Sequence, residues 1–146
     1  MTGKFDKAGI RFHYPENWEI IDENVLDGPR TVSLQSPGGG FWTLMIYERG
    51  TDTASLLRET IEQMREEYEG LESNVILDEF DQTGATGYEM FFYCLDFLVC
   101  ARVFAVKAAN GQVMLMLWQA EDRDFIEYEP VFRAITVSLL RELAAT

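Results

Sequence analysis

One histidine, two cysteines and only 12 basic residues against 25 acidic ones are what this 146-residue chain has little of. With His13 alone, a histidine-based metal cluster cannot be assembled, and the carboxylates do not fall at the spacing of a calcium loop. Two cysteines, Cys94 and Cys100, are too few for a disulfide scaffold. The formal net charge of -13 repels phosphate, so nucleic acid and anionic membrane surfaces are poor partners. No uninterrupted apolar run approaches the ~18 residues of a membrane span, and residues 1–9 hold no apolar signal core, lipid-attachment cysteine or twin arginine. The expectation is a cytoplasmic chain with reduced thiols and no membrane insertion.

What is present is apolar surface. Hydrophobic residues make up 47% and aromatics 13% of the chain, enough to offset chain entropy despite the charge. Residues 1–146 are expected to form a single domain, with the acids keeping it in solution. Gly87 to Ala120 organises the rest, because apolar residues there occupy both parities of three consecutive strands. A sheet that is apolar on both sides needs a cover on each. Asn110-Gly111 is a strong hairpin signal, and a two-residue turn there pairs Val106 with Leu115 and Phe104 with Leu117 on one face. The other face then carries Ala105 with Met116 and Val103 with Trp118. Cys94 and Cys100 flank a second turn over Leu95 to Val99. Paired directly they share a face within bridging reach; a slip of one residue separates them.

Before that centre, strands are expected at 10–15, ended by Pro15, then around Trp18 and Ile20, and at 31–36 with Val32 and Leu34 inward. Asp27-Gly28-Pro29 reads as a turn. Ser36-Pro37-Gly38-Gly39-Gly40 leads into a strand at 41–47; a phosphate cradle would lead into a helix. A helix capped within Thr51-Asp52-Thr53 runs to a stop at Gly70, with Leu57, Ile61, Met64 and Tyr68 on one stripe. Its outer face sets Arg58 four residues from Glu62 and Arg65 four from Glu69. Residues 74–82 read as a strand with Val75, Leu77 and Phe80 inward. A last helix is expected from about Glu129 to about Leu143, with Pro130 in its first turn and Phe132, Ile135, Leu139 and Glu142 in line. The fold class is therefore α+β, an antiparallel sheet of about six strands with a helix on each face.

Two segments resemble a known family. Gly9-Ile10-Arg11-Phe12-His13-Tyr14-Pro15-Glu16-Asn17-Trp18 is similar to the opening of PsbP-like proteins, glycine, an apolar residue, then Phe, an apolar or Tyr position, Pro and Trp. Phe132 to Leu139 resembles their closing helix. That superfamily includes the extrinsic P subunit of photosystem II, a small Ran-binding import factor, and bacterial domains, some of them chaperones for type VI secretion effectors. The resemblance spans the chain in element order and implies a sheet flanked by helices with a non-enzymatic accessory role. It carries over no catalytic residue, since the matching positions are core positions, and this chain lacks the export signal of several members.

Candidates for chemistry are few. His13 could act as a general base with Glu16 or Asp22, but also reads as a solvated residue on an edge strand. Cys94 or Cys100 as nucleophile would lean on that same histidine. Asp122 with Asp124, or Asp78 and Glu79 with Asp81, resemble a glycosidase pair only in composition. Met114 and Met116 share a face with Trp118, and Met90 joins them in a slipped register of the preceding hairpin. Such a soft patch can receive a partner helix or an apolar ligand, or simply be core. The leading expectation is a non-enzymatic protein-binding module, chaperone-like, monomeric or homodimeric, without cofactor. A small carrier for a hydrophobic ligand is second, and a hydrolase using His13 third.

Overall fold

The structure, a computed structural model, describes residues 2–26, 29–80 and 83–144. The expected turn at Asp27-Gly28, Asp81 and the strand end at Gln82 lie outside them. Among the described residues nine strands and two helices follow in the order β1 (Thr2–Lys7), β2 (Ile10–Pro15), β3 (Glu19–Asn24), β4 (Arg30–Gln35), β5 (Phe41–Tyr47), α1 (Thr53–Glu67), β6 (Glu72–Asp78), β7 (Ala85–Cys94), β8 (Phe97–Lys107), β9 (Val113–Glu121) and α2 (Asp122–Ala144). β1 and β2 form a separate two-stranded hairpin, and the other seven form one antiparallel sheet in the order β3-β4-β5-β9-β8-β7-β6. The seven-stranded sheet meets the expectation of about six strands, and β1 is an addition to it: in Thr2–Lys7 only Phe5 is buried, so no alternation announces it.

Alternate side chains of the central strands fall into two clusters. Phe104, Val106, Met114, Met116, Trp118 and Ala120 pack with Phe132, Ile135, Leu139 and Leu140 of α2. Val103, Ala105, Val113 and Leu115 pack with Leu56, Leu57 and Ile61 of α1, joined by Met90 and Phe92 of β7. Because neighbours along a strand point to opposite sides, the sheet is apolar on both, as its sequence demands. Phe5, Ile10 and Phe12 of the first hairpin join the α2 cluster, so α2 shares the roofing of that side with two strands.

Turn chemistry corrects the expected registers. At Asn110-Gly111 the Ala108 amide donates to the Gln112 carbonyl and the Gly111 amide to the Ala108 carbonyl, with Gly111 at φ 89. The loop therefore holds three residues, Ala109 to Gly111, with the glycine in the left-handed position that such a loop needs. Val106 consequently faces Met114 and Phe104 faces Met116, one residue away from the expected pairing. The β7–β8 turn is tighter than expected: Leu95 and Asp96 sit at φ 49 and 69, and Cys94 pairs with Phe97. Cys100 faces Phe91 and lies with the α2 cluster, whereas Cys94 packs against the α1 cluster. The two thiols are on opposite faces of the sheet and both are free.

The helices differ from expectation at their surfaces and ends. The Asp52 carboxylate caps α1 by accepting from the Ser55 hydroxyl and amide, bonds that hold its pKa below the ordinary carboxylate value. On the outer face Arg65 meets Glu62 and the Ser73 hydroxyl instead of Glu69, and Arg58 reaches the Ser55 hydroxyl instead of Glu62. α2 begins at Asp122, two turns before the expected start, with Pro130 inside it. Pro130 cannot donate to the Ile126 carbonyl, and side-chain anchorage upstream compensates. Phe125 is buried against Phe132, and Tyr128 meets Trp18 edge-on at 6.1 Å. On β6, Val75 and Leu77 are not inward but 63% and 81% exposed, because α1 does not extend over them. Phe80 is buried as expected, edge-on to Phe104 and Trp118.

Candidate functional site

The four residues expected to line a soft patch are distributed through the core. Met90, Met114, Met116 and Trp118 are each no more than 2% exposed. Met114, Met116 and Trp118 share the α2 side of the sheet, and Met90 lies on the α1 side. They form no open groove, and their packing fills the sheet–helix interface.

Beneath α2, polar groups tie the layers together. Thr136, fully buried, accepts from the indole N–H of Trp42 and of Trp118, each at 3.0 Å, and donates to the Phe132 carbonyl at 2.9 Å. Trp42 and Trp118 are opposite each other on β5 and β9, so one hydroxyl joins helix and both strands. Toward β6 runs a chain of ion pairs: Glu89–Arg102 at 3.0 Å, Arg102–Glu129 at 3.5 Å, Glu129–Arg133 at 2.6 Å and Arg133–Asp78 at 2.6 Å. Burial works against charge on Arg133, and the bonds to Asp78 and Glu129 outweigh it, so its pKa stands above the ordinary arginine value. Arg102 also lies over the Phe125 ring, and Arg133 over Phe80 and Trp118.

Glu89, Arg102 and Glu129 of this chain of ion pairs form one wall of a surface depression of about 500 Å³ between the β7–β8 hairpin and the first turns of α2, lined also by Phe91, Cys100, Phe125 and Ile126. Tyr93 continues the row of Phe91 on the same face toward the hairpin tip, where Leu95 occupies the turn. Tyr93, Leu95 and Ile126 are 68%, 87% and 83% exposed. Leu95 falls within the turn expected over Leu95 to Val99, and an exposed apolar residue at such a position is the signal the sequence offered. Ile126 was missed because the helix was started too late.

Cys100 in the lining of this depression is not a nucleophile at neutral pH. Burial is the main cause that pushes its thiol up from 9.0 to about 12, and Glu89 adds to it. Intact-mass analysis after iodoacetamide at pH 8 is expected to show Cys100 unmodified in the folded chain and alkylated after denaturation. Because the folded pKa is the higher one, the stability contribution of this thiol is complete below about pH 9 and is lost as pH rises toward 12.

His13 is exposed on β2 and, among the described residues, pairs with no carboxylate, so neither Glu16 nor Asp22 makes it a base. Its amide donates to the Ser138 hydroxyl, and the residue lines a second, apolar depression of about 310 Å³ with Tyr14, Pro15, Pro130, Val131 and Ile135. Asp78 is occupied by Arg133, and Asp122 and Asp124 stand in the first turn of α2, where negative charge suits the helix N-terminus. Among the described residues no group of three or more His, Cys, Asp or Glu side chains could hold a metal. No helix among them is long and apolar enough to cross a membrane.

No protein-family model and no curated protein sequence matches the chain. Solved structures do. The chain is similar to cyanobacterial PsbP (CyanoP) from Synechocystis sp. PCC 6803, with a TM-score of 0.62 at 13% identity over 94% of this chain and 90% of that one. PA94 of Pseudomonas aeruginosa, a protein of unknown function, gives 0.57 at 11% identity, covering 94% and 95%. LpqN of Mycobacterium tuberculosis, involved in cell envelope biogenesis, gives 0.58 at 12% identity, covering 92% and 87%. The chain has the PsbP-like fold.

Proposed function

We propose that the protein is a non-enzymatic accessory module that binds another polypeptide at the depression between the β7–β8 hairpin and α2. The observation that supports this reading is the exposure of Ile126 on the lining of that depression, with Tyr93 and Leu95 exposed along the β7–β8 hairpin toward its tip. Large apolar side chains grouped at one end of a fold are costly to leave wet and supply the anchors of an interface. The charged wall of Glu89, Arg102 and Glu129 gives the partner a polar register mark. A Leu95→Glu/Ile126→Glu variant is expected to fold normally by circular dichroism, since both residues are exposed, and to lose at least tenfold in recovery of the polypeptide that copurifies with the native chain. Unchanged recovery would remove the proposal.

A carrier role for a hydrophobic ligand is the second reading, favoured by the apolar depression between β2 and α2. Native mass spectrometry of the same purified material separates the two, since a retained small apolar molecule would favour the carrier. The proposal keeps the chain in the cytoplasm, and support comes from two thiols that are not bridged to each other. Cell fractionation checks that placement.

A further inference from the structure

The two edges of the seven-stranded sheet are built differently. At β3 the register shifts between Ile20 and Asp22, and Glu23 is engaged by Lys7 of the first hairpin at 2.7 Å. A bulge and a charge pair are standard guards of an edge. β6 has neither. It pairs with β7 through seven unbroken positions, from Glu72↔Phe91 to Asp78↔Ala85, and contains no lysine, proline or bulge. No described strand pairs with its outer side. Val75 and Leu77, two residues apart, present exposed apolar side chains on one face of this edge. The flanks are acidic: residues 66–79 hold Glu66, Glu67, Glu69, Glu72, Asp78 and Glu79 and no basic residue.

We propose that the outer edge of β6 is a docking site for an extended polypeptide segment, added as an eighth strand, with alternating apolar residues and basic residues at its ends. Outward backbone groups of β6 give the guest its hydrogen bonds, Val75 and Leu77 read its alternate side chains, and Glu69, Glu72 and Glu79 select its charge. Asp78 takes no part, because Arg133 holds it. Charge also decides against a second copy as occupant. Each copy carries -13, and antiparallel self-pairing centred on Val75 sets Glu72 of each against Asp78 of the other. Val75 and Leu77 lie on the α1 side of the sheet, opposite the hairpin depression, which no β6 residue lines, so occupancy of this edge does not rest on what binds there.

The test titrates the full ¹⁵N-labelled chain with the synthetic peptide acetyl-KKVTVTVKK-amide, up to about 1 mM. Amide shifts concentrated in residues 72–78, saturable and weakened at least tenfold by Val75→Lys/Leu77→Lys, are expected. Methylating alternate backbone nitrogens of the peptide, or replacing its lysines with glutamate, is expected to abolish the shifts. No shift at 72–78, equal shifts with the glutamate peptide, or shifts that survive both backbone methylation and the double variant would overturn the proposal. So would sedimentation showing a dimer that the double variant dissolves, since the occupant would then be a second copy.

Discussion

A Thr136→Val variant is expected to lose about 3 kcal/mol of stability and to melt roughly 10 °C lower, although valine matches threonine in shape. The hydroxyl it removes is the acceptor for two indole N–H groups whose rings are fully buried. Each orphaned donor keeps its desolvation cost of about 1–3 kcal/mol without the bond that offset it, and the added methyl group returns only part of that. Thr136→Ser keeps the acceptor and is expected to lose only about 1 kcal/mol, from the missing methyl. Thermal denaturation followed by tryptophan emission checks both. Equal melting temperatures for the valine variant and the native chain would mean that the two indoles find other acceptors.

Gly87→Ala is expected to cost about 3 kcal/mol or more, for a reason unrelated to glycine flexibility. A methyl group on Gly87 would stand well inside contact distance of the Val103 carbonyl oxygen and 2.7 Å from the Phe104 ring. The carbonyl belongs to β8, which is sheet-bound on both sides, so backbone would have to move. Gly84→Ala, three residues upstream, meets nothing within 4 Å and is expected to be neutral or slightly stabilising. Urea unfolding of the two variants side by side reads the difference directly. A Gly87→Ala chain as stable as the Gly84→Ala chain would contradict the register of Gly87 opposite Phe104.

Parity along each strand could be read from residue types, and the apolar character of both sheet faces followed from it. Pairing between strands could not, because a hairpin register depends on how many residues the turn absorbs. Relative to a direct Cys94–Cys100 pairing and a two-residue Asn110-Gly111 turn, both central hairpins are displaced by an odd number of residues. The first displacement would bring Met90 to the Met116 side, and the second returns it to the opposite one. The docking elements were hard to read for a related reason. Val75 and Leu77 alternate as inward residues do, and only the reach of α1 determines that they are wet. Pro130 has the opposite lesson: local propensity would start the helix there, and the burial of Phe125 with the Arg102–Glu129 contact carries it eight residues further upstream.

The strand order also constrains how the molecule is made. β3, β4 and β5 join by neighbouring turns, as do β6, β7, β8 and β9, and these two meanders meet only where β9 lies along β5. Closing that seam brings together segments about seventy residues apart, from Tyr47↔Val113 to Phe41↔Gln119, so it carries the largest loop-closure entropy of the sheet. On the ribosome neither half can be sealed to the other until β9 has emerged, and the clasp at Thr136 follows later still. Between the completion of β5 at Tyr47 and the emergence of β9 at Val113 the nascent chain therefore leaves one edge of β5 unpaired, and this interval is when it is most open to mispairing.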